Sequence, residues 1–151
     1  MLDLYRELQR LVEALEGSGI PYALVGGLAV SIYTTPRATE DIDVMVGPAD
    51  VERVVDAVAG LGFQRAGAPM RLAGGRLHIQ RLNRFEGTDL LPLDVLFTAD
   101  RDLRQVLDDR REITSEGRRL WVVSVEGLRV LKRLRGSVRD RADLEALEGE
   151  A

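Results

Sequence analysis

Leu4, Leu8, Leu11, Val12 and Leu15 recur at the spacing that lines up apolar side chains along one face of a helix. Residues 2–16 are therefore expected to form an amphipathic helix, stopped at Gly17 and Gly19. IPYALV then reads as a short strand ending at Gly26, Leu28 to Tyr33 as a short helix closed ahead of Pro36, and IDVMV as the next strand. Val51, Val54, Val55, Val58 and Leu61 return to helical spacing, with Asp50 as the expected cap. The Gly-rich AGAPMRLAGG reads as a loop or a weak edge.

RLHIQRLN and LLPLDVLF are strand-like runs joined by the polar turn RFEGTD, which predicts an antiparallel hairpin. Leu103, Val106 and Leu107 place a helix from about residue 100, and RLWVVS is expected to be the last strand. Ser124 can cap a helix carrying Leu128, Leu131 and Leu134 that Gly136 ends. Ser137 with Asp140 resembles a capping box for a final helix holding Leu144 and Leu147. Strands alternating with helices around one hairpin predict an α/β (α+β) fold, a mixed sheet flanked by helices with a C-terminal helical segment over about 124–149.

A chain of 151 residues with 45% apolar and 30% charged positions suits one compact globular unit with its own core. No apolar run approaches the roughly 20 residues of a membrane-spanning helix, so no membrane partner is expected. The N-terminal MLDLYRELQRL lacks the continuous apolar segment of a signal peptide, which makes the cytoplasm the expected location. Cysteine is absent, which excludes disulfides and thiolate metal sites. The net charge of −4 argues against generic nucleic-acid binding, although residues 100–141 carry 12 basic against 8 acidic side chains. That basic third either faces a polyanion such as a triphosphate or RNA, or is a set of solvated helix faces.

Two carboxylates inside IDVMV and its lead-in change the picture. Asp41 and Asp43 are two apart, so on a strand they project from one face while Ile42, Val44 and Val46 fill the other. Side-by-side carboxylates repel unless a cation lies between them, and hard oxygen donors without nearby histidine or cysteine suit Mg2+, with Mn2+ as the alternative. Asp94, alone among apolar residues in PLDVLF, can join them if its strand pairs beside IDVMV; three such carboxylates support two-metal chemistry. Gly26 and Gly27, between a strand and a helix, would let backbone N–H groups approach a phosphate chain. The competing reading puts both aspartates at exposed positions of an edge strand.

Gly26-Gly27, Asp41-Ile42-Asp43 and Asp94 together resemble the motif set of the DNA polymerase β-like nucleotidyltransferase superfamily. More narrowly, GGLAVSIYTTPRATEDIDV is similar to the small bacterial nucleotidyltransferases of the abortive-infection and toxin–antitoxin type, and SVEGLRVLKRLRGSVRDRADLEAL resembles their C-terminal helices. Gly27 stands where many superfamily members carry serine, which removes a hydroxyl donor to the triphosphate.

The resemblance implies a single nucleotidyltransferase domain over 1–151. The reaction it implies is transfer of a nucleoside monophosphate from an NTP to an acceptor hydroxyl with release of pyrophosphate. It assigns Asp41 and Asp43 to the metals, Asp94 to the second metal and to deprotonation of the acceptor, and Gly26 and Gly27 to the phosphates. The acceptor it suggests is a tRNA end or a partner protein, such as a cognate toxin or antitoxin. A drug-modifying transferase acting on a lincosamide- or aminoglycoside-like hydroxyl is the rival enzyme, and a non-catalytic antitoxin or binding module the rival of another class.

Other residues keep two readings. Arg37 is either a loop arginine or a contact to the carboxylates or triphosphate. Lys132 is the single lysine beside twenty arginines, a compact charge suited to a phosphate, or else a chance feature of a helix face. Asp140 and Asp143 resemble the family's terminal acids or serve as cap and surface residues. His78 is expected on a polar strand face with structural bonds rather than in acid–base work, and Trp121 in the core.

Overall fold

The computed structural model describes residues 2–34, 39–136 and 138–148. The N-terminal helix, α1 (Leu4–Gly17), is capped by Asp3, whose carboxylate accepts from the Arg6 N–H, and it buries Leu8, Leu11, Val12 and Leu15. Strand β1 (Tyr22–Val25) runs straight into α2 (Gly26–Tyr33), so the two glycines form the first turn of this helix rather than a separating loop. Strand β2 (Ile42–Val46) follows, then α3 (Val51–Ala59). Asp50 makes no capping bond to α3; its carboxylate accepts instead from Arg53, and a 3-10 turn over Pro48–Asp50 leads the chain in.

The stretch read as a loop or weak edge contributes one short strand, β4 (Met70–Leu72), and just ahead of it lies another that was not expected, β3 (Gln64–Arg65). Both pair with β5 (Leu77–Glu86), which forms a long hairpin with β6 (Asp89–Phe97). The connecting turn is only Gly87 and Thr88, much tighter than the polar run suggested. Helix α4 (Arg101–Asp108) starts at Asp100, whose side chain accepts from the N–H groups of Asp102 and Leu103. Strand β7 (Arg111–Ser115) was not expected: REITS has too few apolar positions to read as a strand, and it forms by pairing with β8 (Arg118–Val122).

Helix α5 (Val125–Arg135) behaves as its sequence predicts, with Ser124 accepting from the Gly127 N–H and Gly136 ending it at φ 64°. The last helix is α6 (Val138–Ala146); Ser137, its expected capping residue, lies outside the described residues.

Among the described residues the strands form one mixed sheet in the order β3-β5-β6-β2-β1-β8-β7, with β4 on the outer side of β5. Strand β2 lies in its middle, antiparallel to β1 and parallel to β6, so the edge-strand reading of Asp43 fails. All five β2 residues are buried because both faces of this central strand are covered. Ile42, Val44, Val46, Leu93 and Val95 pack into the core with Leu11, Leu15, Val54 and Val58. On that side Arg84 of β5 reaches Glu7 of α1 at 3.0 Å, an ion pair largely shielded from water. No described helix is long and apolar enough to cross a membrane.

Candidate active site

The sheet register builds the site. Val25 faces Asp43 across β1 and β2, Asp43 faces Asp94 across β2 and β6, and Asp94 faces Arg81 across β6 and β5. Directly paired residues share a face, so these four side chains form a row across four strands. Asp41 lies just before β2 instead of inside it, half-buried, with the Thr39 hydroxyl donating to its Oδ1 at 3.2 Å. One carboxylate oxygen from each of Asp41, Asp43 and Asp94 lies within 4.8 Å of the others. The condition set for Asp94, a strand paired beside IDVMV, is met by the β2–β6 pairing.

Gly26 explains how the cluster fits. Its backbone sits at φ 69°, and a Cβ placed there would lie 2.0 Å from Asp43 Oδ2. Only a residue without a side chain leaves room for that carboxylate. Asp43 thus rests on the first residue of α2, the end of a helix where backbone N–H groups lack intrahelical partners. The N-cap residue, Val25, makes no side-chain capping bond to it. Gly27 is the next residue, also buried.

Asp43 is 5% exposed. Burial is the main reason its carboxyl is pushed up from 3.8 to about 8, and the charges of Asp41 and Asp94 push in the same direction. Arg135 and Lys132, both on α5, pull it back in part. A buried carboxyl beside two others, made reluctant to ionise by their charges, suits a divalent cation that would relieve the repulsion. The donor set, three carboxylates without sulfur or imidazole, fits a hard ion of the magnesium or manganese type.

The remaining expected residues are placed as follows. Arg37 lies outside the described residues. Lys132 is 4% exposed, and its ammonium meets Asp143 at 2.9 Å and Asp140 at 3.2 Å. The surface reading of those two aspartates is therefore corrected: both are buried, and they tie α6 to α5 through the single lysine. His78 stacks on Phe97 with ring centroids 5.3 Å apart. Trp121 is half-buried instead of fully core, with the Arg110 guanidinium 4.7 Å from its ring centroid.

Arg81 went unnoticed in the sequence. It grips Asp94 with two parallel bonds, Nε to Oδ1 at 2.8 Å and Nη2 to Oδ2 at 2.9 Å. The signal that points to it is the turn: strands closing on Gly87 and Thr88 necessarily put Arg81 opposite Asp94.

The family model of uncharacterised nucleotidyltransferases matches residues 2–131. The chain belongs to this family. No curated protein matches it by sequence. Among solved structures, this nucleotidyltransferase is similar in fold to the lincosamide antibiotic adenylyltransferase LnuA, solved with lincomycin bound. That match has 16% identity and a TM-score of 0.64, and it covers 95% of this chain and 96% of the other. ANT(2'')-Ia, in complex with adenylyl-2''-tobramycin, aligns at 15% identity and a TM-score of 0.66 over 94% of this chain and 86% of its own. A Thermotoga maritima protein described as of the nucleotidyltransferase type aligns at 12% identity and a TM-score of 0.66, covering 94% of this chain and 90% of that one. At such identities the likeness establishes the nucleotidyltransferase fold, while the family match establishes the enzyme class.

Proposed function

We propose that this nucleotidyltransferase is magnesium-dependent, with manganese as an alternative ion, and moves a nucleoside monophosphate from an NTP to an acceptor hydroxyl in the cytoplasm. The acceptor oxygen bonds to the α-phosphorus, the bond from that phosphorus to the leaving oxygen breaks, and pyrophosphate departs. The hydroxyl proton passes toward Asp94. Asp41, Asp43 and Asp94 are the residues that would hold the ions, which when bound supply Lewis-acid stabilisation of the phosphoryl charge. Gly26 and Gly27 offer backbone N–H groups to the phosphates, and Arg37 adds charge from the lead-in to Asp41. Lys132 joins this scheme if the triphosphate replaces one of its two carboxylate partners. The whole chain would act as a single catalytic domain over 1–151.

The observation that carries the reading is the meeting of three carboxylates, one of which, Asp43, lies against Gly26 at the start of α2. The acceptor we favour is macromolecular, a tRNA end or a hydroxyl on a partner protein such as a cognate toxin or antitoxin. Its support is the run RATEDID, which resembles that of toxin–antitoxin relatives. A small antibiotic-like acceptor is the second reading, favoured by the end-to-end alignment with LnuA. It gains from the fate of the basic third of the chain, where Arg118, Arg119, Arg129 and Lys132 are engaged by acidic partners within the molecule.

Labelled NTPs and Mg2+, offered with tRNA, partner protein, lincosamide or aminoglycoside, test the proposal. The expected result is metal-dependent label transfer with release of pyrophosphate, abolished in Asp43→Ala. No metal-dependent nucleotide binding or transfer with any acceptor would overturn it, and resistance conferred on a sensitive host would select the second reading.

A further inference from the structure

We infer that Arg81 is a positioning residue that sets how readily Asp94 takes up a divalent cation, so that the ion held through Asp94 is the weaker of two. The inference rests on the reading of Asp41, Asp43 and Asp94 as metal ligands.

Asp94 stands between opposite influences on neighbouring strands, with Asp43 across β2 and Arg81 across β5. Each of its oxygens accepts one bond from the Arg81 fork, at 2.8 and 2.9 Å. A two-pronged guanidinium fixes the plane of a carboxylate and occupies a lone pair on both oxygens. A dication approaching Asp94 must therefore share those oxygens beside a positive charge, or displace it. Asp41 differs, since among the described residues its hydrogen-bond partner is the neutral hydroxyl of Thr39.

Exposure separates the two members of the pair. The Asp94 side chain is 6% exposed and fixed in the sheet, whereas that of Arg81 is 42% exposed and reaches the carboxylate from the solvent side. The arginine can yield; the aspartate cannot. With no ion bound, the Arg81 fork fixes the plane of the Asp94 carboxylate. Among the described residues, an ion shared by Asp41 and Asp43 meets no guanidinium fork on Asp41, and it fills first. The negative charge of an arriving triphosphate would then offset Arg81 and let the second ion in.

The test is a Mn2+ titration of the full chain, read by the loss of the free-ion electron paramagnetic resonance signal, for wild type, Arg81→Gln and Arg81→Lys. Wild type is expected to show one tighter and one weaker site. Arg81→Gln should tighten the weaker site by roughly tenfold, the influence of one hydrogen-bonded charge on a neighbouring carboxylate, and leave the tighter site unchanged. Arg81→Lys keeps the charge without the fork and should tighten it by a smaller factor; it also carries the test if the glutamine variant fails to fold. An unchanged or lost weaker site in a folded variant overturns the role of Arg81 while leaving the metal reading intact. Wild type that binds no Mn2+ overturns both.

Discussion

Gly26 and Asp43 account for each other. The carboxylate occupies the space that a Cβ on residue 26 would need, and the glycine adopts a left-handed conformation that other residues enter at a cost. Gly26→Ala should therefore destabilise the protein by about 2 kcal/mol or more, lowering the melting temperature by roughly 4–8 °C. A melting temperature within a degree of wild type would show that the two residues do not compete for that space.

Asp43 has a second measurable signature. Its carboxyl holds a proton more tightly in the folded chain than its ordinary value of 3.8 allows, so it adds stability below that pH and loses it as the pH rises through about 8. Metal-free protein should melt lower at about pH 9 than at about pH 6, and Asp43→Asn should flatten that part of the slope. An unaltered slope in the variant would contradict the assignment. Both aspartates of the Asp-x-Asp run and Asp94 were legible because isolated acids among apolar residues are conspicuous. Arg81 was not, because an arginine on an alternating strand looks like any solvent-facing position.

The same limit governs the elements. Long periodic helices and apolar strands emerged close to their expected bounds, from α1 to α5. Strand β7 did not, since its pairing with β8, and not its own composition, makes it a strand. The hairpin shows how much a turn decides: centred on the six residues RFEGTD, it would have set Arg81 opposite Pro92, whereas the closure on Gly87 and Thr88 sets it opposite Asp94. Helix α6 is tied to α5 through Lys132, which meets both Asp140 and Asp143, with Arg135 near Asp140 at 3.8 Å and Arg129 donating to the Leu147 carbonyl just beyond the helix. Lys132→Met removes the ammonium that two buried carboxylates share and should cost about 3–5 kcal/mol in chemical denaturation. A variant as stable as wild type would mean that α6 is held by other means.

Across the whole molecule, the parallel pairing of β2 with β6 is what brings residues 41, 43 and 94 together from segments some fifty positions apart. No local pattern in the sequence states that pairing; it follows from a mixed sheet in which β1 lies on one side of β2 and the hairpin on the other. The charge distribution misleads at this level, because Arg118, Arg119 and Lys132 of the basic third are engaged in internal ion pairs, while three carboxylates converge at the site. The most direct measurement is the anomalous scattering of Mn2+ in crystals grown with a non-hydrolysable NTP analogue. Manganese bound to Asp41, Asp43 and Asp94, with the phosphates lying on Gly26 and Gly27, is the predicted result. Nucleotide bound elsewhere, or manganese away from those three carboxylates, would contradict it.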